Sequence, residues 1–369
     1  MKIGVPKEIK TKEFRVGLTP ASVAEITARG HSVVVETQAG VGIGASDDDY
    51  KAAGAEIASN AESVFDAAEM IVKVKEPQLS ECAMLKPHHT LFTYLHLAAD
   101  KPQAEALCKS GCLAIAYETV TSDRNTLPLL HPMSEVAGRL SIQVGANCLM
   151  KHAGGEGLLL AGVPGVAPAK VVILGGGVAG ENALQMALGM RADVTIFERN
   201  VNRIADLDRQ YGERAKVVYS TGAAVREAVL AADLVIGAVL IPGAAAPRLV
   251  TREMLGHMKD GSVLVDISID QGGCFETSRA TTHDEPTYII DGVVHYCVAN
   301  MPGGVPKTST YALNNATLPY VLKLADGVNA ALAADPHLAN GVNVSNGAIT
   351  HEAVARDLEM TFAAFSNAA

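Results

Sequence analysis

The chain has 369 residues, of which 49% are apolar and 19% are charged, and its formal net charge is −10. This length and composition predict about two globular domains with sizeable cores and exclude intrinsic disorder. The acidic balance, the absence of tryptophan and an aromatic content of only 4% argue against a protein that binds nucleic-acid phosphates or stacks bases.

Short β-rich runs alternate with helical stretches in the first third of the chain. We predict strands at Lys2–Val5, Ser32–Glu36, Met70–Val74, Leu91–Leu95 and Leu113–Tyr117. A helix from about Pro20 to Arg29, ended by Gly30, lies between the first two strands. This strand–helix–strand order predicts a parallel sheet with helices on both faces.

A second series of alternating elements begins near Lys170. We predict strands at Val171–Leu174, Asp193–Phe197, Val217–Tyr219, Leu234–Val239 and Ser262–Ile267. The sequence YIIDGVVHY at 288–296 places an Asp-Gly turn between β-forming residues, which predicts a hairpin.

Two long helical stretches separate the series, one at about Ser134–Lys151 and one from about Thr308 past Leu324, and we also predict helix at about 345–365. We therefore expect two doubly wound, Rossmann-like α/β domains with parallel sheets, the second inserted into the first, and a cleft between them. The expected boundaries are 1–130 with 308–369 for a discontinuous substrate domain and 131–307 for a nucleotide-binding domain.

The amino terminus and the cysteines bear on the compartment. The first residues, MKIGVPKEIKTKEFR, contain no apolar core of the kind that a secretory signal has. Asp233, Pro242 and Gly243 divide the apolar segment 228–247, which predicts a helix end, a buried strand and a loop rather than a membrane span. Six scattered cysteines suit neither a disulfide framework nor a zinc site. We expect a cytoplasmic protein that binds no membrane and no metal.

A glycine-rich turn follows the first strand of the second series. Gly175, Gly177 and Gly180 form G-x-G-x-x-G between an apolar strand and a helix, which is typical of a dinucleotide site. Glu198 follows Gly180 by eighteen residues, where a carboxylate can bond both ribose hydroxyls. The alternative is a structural turn with a solvated glutamate. A carboxylate repels a 2′-phosphate, so we predict NAD over NADP, although the adjacent Arg199 weakens that inference.

Four reactive residues follow predicted strands. Arg15 lies in the loop after the first strand, Lys75 and His96 end the runs MIVKVK and LFTYLH, and Asp270 follows VLVDIS. Ligands of open α/β sheets bind outside the carboxyl ends of the strands. A guanidinium can pair with a carboxylate, a lysine adds charge for a carbonyl, and a histidine transfers protons near neutral pH. This set therefore suits a small 2-oxo or 2-amino acid.

Each of the four residues also fits a simpler role. The cations can be surface charges, the histidine can be bonded to backbone at a strand end, and the aspartate can cap a helix. We interpret His88 and His89 as a solvated loop, and Met133, before a predicted N-cap at Ser134, as a packing residue. Lys73 shares a strand face with Lys75, so position alone does not decide between the two lysines.

Longer motifs run through nearly the whole chain. They are EFRVGLTP at 13–20, VKVKEP at 72–77, LFTYLHLAA at 91–99, AYETV at 116–120, PLLHPMSEVAGRL at 128–140, GGGVAGENA at 175–183, ADLVIGAVLIPGA at 232–244, VLVDISIDQGGCFE at 263–276 and YCVANMPGGVPKTSTYAL at 296–313. Together they resemble the bacterial L-alanine dehydrogenase family.

The resemblance implies NAD-dependent, reversible oxidative deamination of L-alanine to pyruvate and ammonia, by hydride transfer from Cα to nicotinamide C4 and then imine hydrolysis. It implies His96 and Asp270 as catalytic residues, and Arg15, Lys75, Tyr94 and Met133 as substrate-binding residues. It implies cofactor contacts from Ser134, Gly175, Gly177, Val178, Ala179, Gly180, Glu198, Arg203, Ser220, Val239, Leu240, Ile267, Asp270, Asn300 and Met301. It also implies a homohexamer.

One departure and three rival interpretations stand beside this resemblance. Many members of the family have Asp where this chain has Glu198, which keeps the charge on a longer side chain. The nearest rival is the nucleotide-binding component of a nicotinamide nucleotide transhydrogenase, which has the same fold and no amino-acid site. The others are a methyltransferase, since glycine loops also bind S-adenosylmethionine, and a non-catalytic NAD sensor.

Overall fold

The structure, a computed structural model, describes residues 1–124, 126–239 and 246–366. Its strands are β1 Lys2–Val5, β2 Ser32–Glu36, β3 Glu56–Ala58, β4 Met70–Val72, β5 Thr90–Thr93, β6 Leu113–Ala116, β7 Lys170–Leu174, β8 Asp193–Glu198, β9 Lys216–Tyr219, β10 Leu234–Gly237, β11 Val263–Asp266, β12 Thr287–Ile290, β13 Val293–Tyr296, β14 Val342–Ser345 and β15 Ala348–Ile349. Its helices are α1 Pro20–Ala28, α2 Asp47–Ala52, α3 Ala61–Ala67, α4 Leu79–Cys82, α5 Lys101–Ser110, α6 His131–Cys148, α7 Val178–Gly189, α8 Val201–Tyr211, α9 Gly222–Ala231, α10 Arg252–Leu255, α11 Pro306–Asp326, α12 Val328–Ala334, α13 Pro336–Ala339 and α14 Glu352–Leu358.

The chain divides into two compact units. The first comprises Met1–Met133 and the segment from Val305 onward, and the second comprises Ser134–Gly304. Each unit contains one mostly parallel sheet, with strands and helices alternating along the chain. The predicted fold class, two α/β domains built on mostly parallel sheets, is confirmed.

The sheet of the first unit has the strand order β15-β14-β6-β5-β4-β1-β2-β3. Strands β1 to β6 are parallel, whereas β14 runs antiparallel to β6 and β15 antiparallel to β14. The chain first builds outward through β2 and β3, then returns to place β4 on the other side of β1. In an open α/β sheet, this reversal between β1 and β4 marks the crevice where ligands bind.

The sheet of the second unit repeats this plan with the order β12-β13-β11-β10-β7-β8-β9. Its reversal lies between β7 and β10, which pair in parallel. The antiparallel hairpin β12–β13 confirms the predicted Asp-Gly turn, because Asp291 and Gly292 both adopt positive φ, at 50° and 80°.

Apolar side chains cover both faces of the second sheet. Val171 and Ile173 of β7 belong to one buried cluster, and the intervening Val172 and Leu174 belong to another. Successive side chains of a strand point to opposite faces, so a continuous apolar run is what a sheet covered on both sides requires. Because both faces of the sheet are covered, a ligand can bind only at the carboxyl ends of the strands and the loops that follow them.

The carboxy-terminal prediction was wrong. In place of a helix over 345–365, the chain forms the hairpin β14–β15 and a shorter helix, α14. Asn346 and Gly347 make the two-residue turn with φ of 50° and 79°, the conformation that an Asn-Gly pair favours. The sequence therefore carried the hairpin signal. Strand β3 was also missed, because it is only three residues long and partly exposed.

Three local expectations need correction. Helix α6 begins at His131, so Ser134 lies inside the helix and does not cap it; Pro132 suits the first turn because its missing N–H has no partner there. Strands β4 and β5 end two residues earlier than predicted, at Val72 and Thr93, and Lys75 and His96 follow them in loops as expected. His89 is buried rather than solvated: Nδ1 accepts a hydrogen bond from Lys86 N at 2.9 Å, and Nε2 donates one to Phe65 O at 2.9 Å.

The apolar segment at 228–247 contains the end of α9 and the buried strand β10, as predicted. The loop predicted after it falls largely on 240–245, which lie outside the described residues. Of the helices within the described ranges, none has the length and apolar character needed to cross a membrane.

Candidate active site

Arg15 lies in the loop after β1 and is only 2% exposed, so the surface-cation interpretation is wrong. The Glu13 carboxylate accepts three hydrogen bonds from Arg15. Oε1 accepts from Arg15 N at 3.0 Å and from Nε at 2.7 Å, and Oε2 accepts from Nη2 at 2.6 Å. Burial opposes the charge, but Glu13 outweighs it and raises the pKa of Arg15 above its ordinary value. The guanidinium is therefore charged and held in one orientation.

Lys75 is also largely buried, in the loop after β4. Its carbonyl accepts a hydrogen bond from Thr93 Oγ1 at 3.0 Å, and its Nζ lies 3.9 Å from Glu76 Oε2. Burial raises the pKa of Glu76, but Lys75 and Lys10 outweigh that effect and leave it below its ordinary value. Because β1 and β4 flank the strand-order reversal, Arg15 and Lys75 both lie where this sheet type binds ligands.

Lys73 occupies a different environment from Lys75. Its side chain is 0% exposed, and Nζ lies 3.1 Å from Glu8 Oε2 and 2.7 Å from Glu81 Oε1. Burial opposes the charge on Lys73, but the two carboxylates outweigh it and raise the pKa of Lys73. The structure thus places Lys73 in an internal ion cluster, which favours Lys75 as the functional lysine.

His96 follows β5 and presents a partly exposed ring. Its φ is 49°, an uncommon value for a residue other than glycine. Glu118 holds the strand end, since its carboxylate accepts hydrogen bonds from Leu95 N at 3.1 Å and His96 N at 2.6 Å. Glu118 Oε1 also lies 4.0 Å from His96 Nδ1. Sequence reasoning missed Glu118, although it belongs to the quoted segment AYETV.

Tyr94 and Met133 connect the predicted substrate residues. The Tyr94 ring stacks on the His96 ring, with centroids 5.7 Å apart and planes 8° apart, and its hydroxyl donates to Leu129 O at 2.5 Å. Burial raises the pKa of Tyr94 well above its ordinary range, so the phenol is neutral. Met133 Sδ lies 3.2 Å from Arg15 Nη1. The structure thus brings these side chains of the first unit to one edge of its sheet.

The glycine loop of the second unit is tightly built. Gly175 has a φ of 103°, and a Cβ there would lie 2.7 Å from Ala238 O in the loop after β10. A Cβ on Gly180 would lie 1.8 Å from Gly175 O, whereas one on Gly177 would have no atom within 4 Å. Gly177 caps α7 without a side-chain hydrogen bond, so the first amides of the helix can face an anion. This cradle fits a pyrophosphate.

Glu198 ends β8 and directs its carboxylate at that loop. Oε2 accepts a hydrogen bond from Gly176 N at 2.8 Å, and Oε1 accepts hydrogen bonds from Arg199 N at 2.6 Å and Asn200 N at 2.9 Å. Arg203 Nε donates to Gly176 O at 2.7 Å, and its Nη2 pairs with Glu181. The solvated-glutamate alternative is therefore wrong, and both predicted cofactor residues contact the glycine loop.

Asp270 lies exposed in a short 3₁₀ turn, Ile267–Gln271, after β11. Asp266, not Asp270, caps this turn: its Oδ1 accepts a hydrogen bond from Ser268 N at 3.0 Å, and its Oδ2 accepts from Cys274 N at 2.8 Å and Ser278 Oγ at 2.5 Å. The N-cap alternative for Asp270 is wrong. Asp266, missed from the sequence, holds the turn that presents the Asp270 carboxylate.

The remaining predicted cofactor residues share a location in the second unit. Most lie in loops after parallel strands: Ser220 after β9, Val239 after β10, Ile267 after β11, and Asn300 with Met301 after β13. Val178 and Ala179 lie in the first turn of α7, and Ser134 lies in the first turns of α6. Leu240 lies outside the described residues.

Two family models match almost the whole chain. The alanine dehydrogenase/PNT N-terminal domain matches residues 4–137, and the alanine dehydrogenase/PNT C-terminal domain matches residues 141–352. The chain belongs to the alanine dehydrogenase/PNT family. The resemblance seen in the sequence is thereby confirmed, and the methyltransferase alternative is removed.

Individual members of the alanine dehydrogenase/PNT family differ in how closely they match. A relative from Halomonas elongata named alanine dehydrogenase is 58% identical over 96% of each chain. A solved structure titled L-alanine dehydrogenase is 52% identical, with a TM-score of 0.94 over 97% of this chain and 99% of its own. A transhydrogenase from Sinorhizobium meliloti is 25% identical, with a TM-score of 0.81 over 96% of this chain and 100% of its own. The similarity therefore favours the dehydrogenase branch over the transhydrogenase one.

Within the described ranges, no cluster of three or more His, Cys, Asp or Glu side chains is arranged to hold a metal ion.

Proposed function

We propose that this chain catalyses the NAD-dependent, reversible oxidative deamination of L-alanine to pyruvate and ammonia. The observation that carries the proposal is that Arg15 and Lys75 follow β1 and β4, the strands that flank the reversal of the first sheet, and that His96 follows β5, the strand beside β4. A fixed guanidinium, a lysine and an accessible imidazole are what a small 2-amino or 2-oxo acid needs. The similarity to proteins named alanine dehydrogenase supports the same substrate.

NAD is the cofactor that fits the second unit. The amides at the start of α7 would hold its pyrophosphate, and Glu198 would bond the adenosine ribose while repelling a 2′-phosphate. When bound, NAD supplies the hydride acceptor. Each carboxylate oxygen accepts two hydrogen bonds, and Oε1 of Glu198 already accepts two, so the one position left for a ribose hydroxyl is on Oε2.

Arg15 binds the substrate carboxylate in this proposal. Glu13 holds Nε and Nη2, so the orientation of the guanidinium is set before the substrate arrives. Preorganisation of this kind reduces the entropy lost on binding and fixes the direction of the Cα–H bond. Lys75 lies close to the carbonyl oxygen of pyruvate and stabilises the charge that develops there when ammonia adds.

His96 and Asp270 move the protons. Alanine reacts with its amine neutral, and loss of the Cα hydride leaves an iminium ion, the protonated imine, that water attacks. His96 takes a proton from that water and returns one to the departing ammonia, while Asp270 orients the water or the amino group. Hydride transfer must precede hydrolysis, so water has to be kept from the reacting carbon until the hydride has moved.

We further propose that the chain is a cytoplasmic homohexamer, as its resemblance to the family implies. Light scattering coupled to gel filtration measures the particle mass directly, and a monomer would contradict this assignment.

An absorbance assay tests the activity. The chain is mixed with L-alanine and NAD at alkaline pH, where the amine is neutral, and NADH formation is followed; serine, valine, glycine and D-alanine serve as comparisons. We expect L-alanine to be the preferred substrate and pyruvate with ammonium to run the reverse reaction. A chain that binds NADH but turns over none of these substrates would instead be an NAD sensor or a transhydrogenase component.

His96→Ala provides the matched control for that assay. Because His96 lies in the first unit and the glycine loop in the second, the variant should bind NADH as the wild type does and lose turnover. Near-normal turnover in this variant would remove His96 from the mechanism.

A further inference from the structure

Three charged side chains are buried behind the loop that carries Lys75. Lys73 Nζ lies between Glu8 Oε2 at 3.1 Å and Glu81 Oε1 at 2.7 Å. The side chain of Lys73 is 0% exposed, and those of Glu8 and Glu81 are each 2% exposed. We call Glu8, Lys73 and Glu81 the buried triad. None of the three has a role in the proposed chemistry.

Glu8 differs from Glu81 in what it contacts. Glu8 Oε1 accepts a hydrogen bond from Val74 N at 2.7 Å and a longer one from Lys75 N at 3.4 Å, while its Oε2 faces the Lys73 ammonium. Glu81 Oε2 instead accepts from Gln78 N at 2.8 Å, at the start of α4. One carboxylate of the triad therefore touches the backbone of Lys75, and the other does not.

The same stretch of backbone is held from two neighbouring elements. Thr93 at the end of β5 donates to Lys75 O at 3.0 Å, and Tyr117 after β6 donates to Lys73 O at 3.0 Å. With Glu8, which belongs to the loop after β1, three different elements fix the path of the chain into Lys75. These hydrogen bonds hold the loop backbone from which the Lys75 side chain extends.

Stability alone gives little reason for such a triad. Buried ion pairs are often no more stabilising than apolar side chains of similar size, because removing charges from water is costly. Burial raises the pKa of Glu8, although Lys73 and the Val74 amide act in the opposite direction. The cost of removing the Glu8 carboxylate from water is therefore not fully offset by its partners. A site that keeps buried charges beside a functional loop is better explained by the geometry they impose.

We propose that Glu8 is a positioning residue that fixes Lys75 for its contact with the keto acid. The inference rests on the proposed function, in which Lys75 touches the carbonyl oxygen. The carboxylate does this through its two amide contacts, and Lys73 keeps it oriented by binding its other oxygen. Displacement of a reacting or binding group by about an ångström can cost on the order of a hundredfold in rate.

Glu8→Gln and Glu81→Gln form a matched pair. Both remove one negative charge beside Lys73, but only Glu8→Gln disturbs the Lys75 amide. A glutamine at position 8 has one acceptor oxygen and one donor NH₂ facing hydrogen-bond donors on both sides, so it must abandon either the amides or the ammonium. Urea unfolding of each variant measures stability, and steady-state reductive amination measures kcat and the KM for pyruvate.

Both variants should lose stability, since each unbalances the triad. Only Glu8→Gln should raise the KM for pyruvate. The expected rise is about tenfold, which corresponds to losing the hydrogen bond between the charged Lys75 and the keto acid. The KM of Glu81→Gln should stay within about twofold of the wild-type value. Equal KM values in the two variants would overturn the proposal. If Glu8→Gln does not fold, Glu8→Asp, which keeps the charge but is one methylene shorter, replaces it, and a wild-type KM there would also overturn it.

The two levels of inference fail differently. A wild-type chain that does not reduce pyruvate with ammonium would overturn the proposed function and this assignment with it. An active wild type with indistinguishable variants would overturn the assignment of Glu8 alone.

Discussion

Two glycines of the nucleotide loop should respond to alanine in opposite ways. Gly180→Ala places a methyl group 1.8 Å from Gly175 O, where real Cβ atoms keep at least 3.0 Å. The neighbour is backbone and cannot rotate away, so α7 must move from the loop by more than an ångström. Gly177→Ala meets no atom within 4 Å, and its φ of −69° is ordinary for alanine.

The two costs therefore fall on different properties. Overpacking against backbone should cost Gly180→Ala about 3 kcal/mol of unfolding free energy, which lowers the melting temperature of a unit of this size by roughly 6–12 °C. Gly177→Ala should melt within a few degrees of wild type but bind NADH at least about tenfold more weakly, because the open space is where the pyrophosphate approaches.

Thermal unfolding by circular dichroism and titration of NADH fluorescence measure these properties separately. The chain has no tryptophan, so tryptophan emission does not complicate the nicotinamide signal. Gly189→Ala, at the end of the same helix and with no atom within 4 Å, is the control and should change neither property by much. A Gly180→Ala chain with wild-type melting, or a Gly177→Ala chain with wild-type NADH affinity, would refute the assignment of these roles.

Three other predictions concern charge. Burial lowers the pKa of His89 and of His295 in the folded chain. Below about pH 6.5 the unfolded chain therefore binds protons that the folded chain does not bind. Urea unfolding should show the free energy of unfolding falling as the pH drops through that value and on toward the lower folded pKa values. Glu13→Gln leaves the Arg15 guanidinium buried without its carboxylate and should cost about 3 kcal/mol of unfolding free energy in the same assay; an unchanged midpoint would show that the pair is dispensable. Wild-type kcat/KM should favour NAD over NADP, and Glu198→Gln should narrow that preference by removing the repulsion of a 2′-phosphate; equal efficiency of the wild type with both cofactors would contradict the role of Glu198.

Local patterns made much of the fold and part of the candidate site predictable. The glycine loop, the Asp-Gly hairpin and the parallel strands are each written within a few residues. Arg15, Lys75 and His96 could be placed at the sheet edge because a parallel sheet brings the ends of its strands together. The Asn346-Gly347 turn was equally local, and the hairpin it forms could have been predicted from it.

The acidic residues behind the site could not be found this way. Glu8 lies 66 residues along the chain from Val74, whose amide donates a hydrogen bond to it, and Glu118 lies 22 residues from His96. No period or spacing connects such partners, and a glutamate in a loop looks the same in sequence whether it is solvated or buried. Glu13 was closer to Arg15, but only burial distinguishes a fixed ion pair from two surface charges.

If Arg15 binds the substrate as proposed, its ion pair with Glu13 has a consequence for which anions the site selects. The Glu13 carboxylate already balances the charge of the Arg15 guanidinium, so chloride or phosphate would gain little electrostatic attraction from it. For the same reason, salt would weaken anion binding at this guanidinium only slightly. A small organic acid would instead bind through its shape and through hydrogen bonds aligned with the guanidinium. A metabolite with more negative charge would then bind no more tightly than one that fits the site.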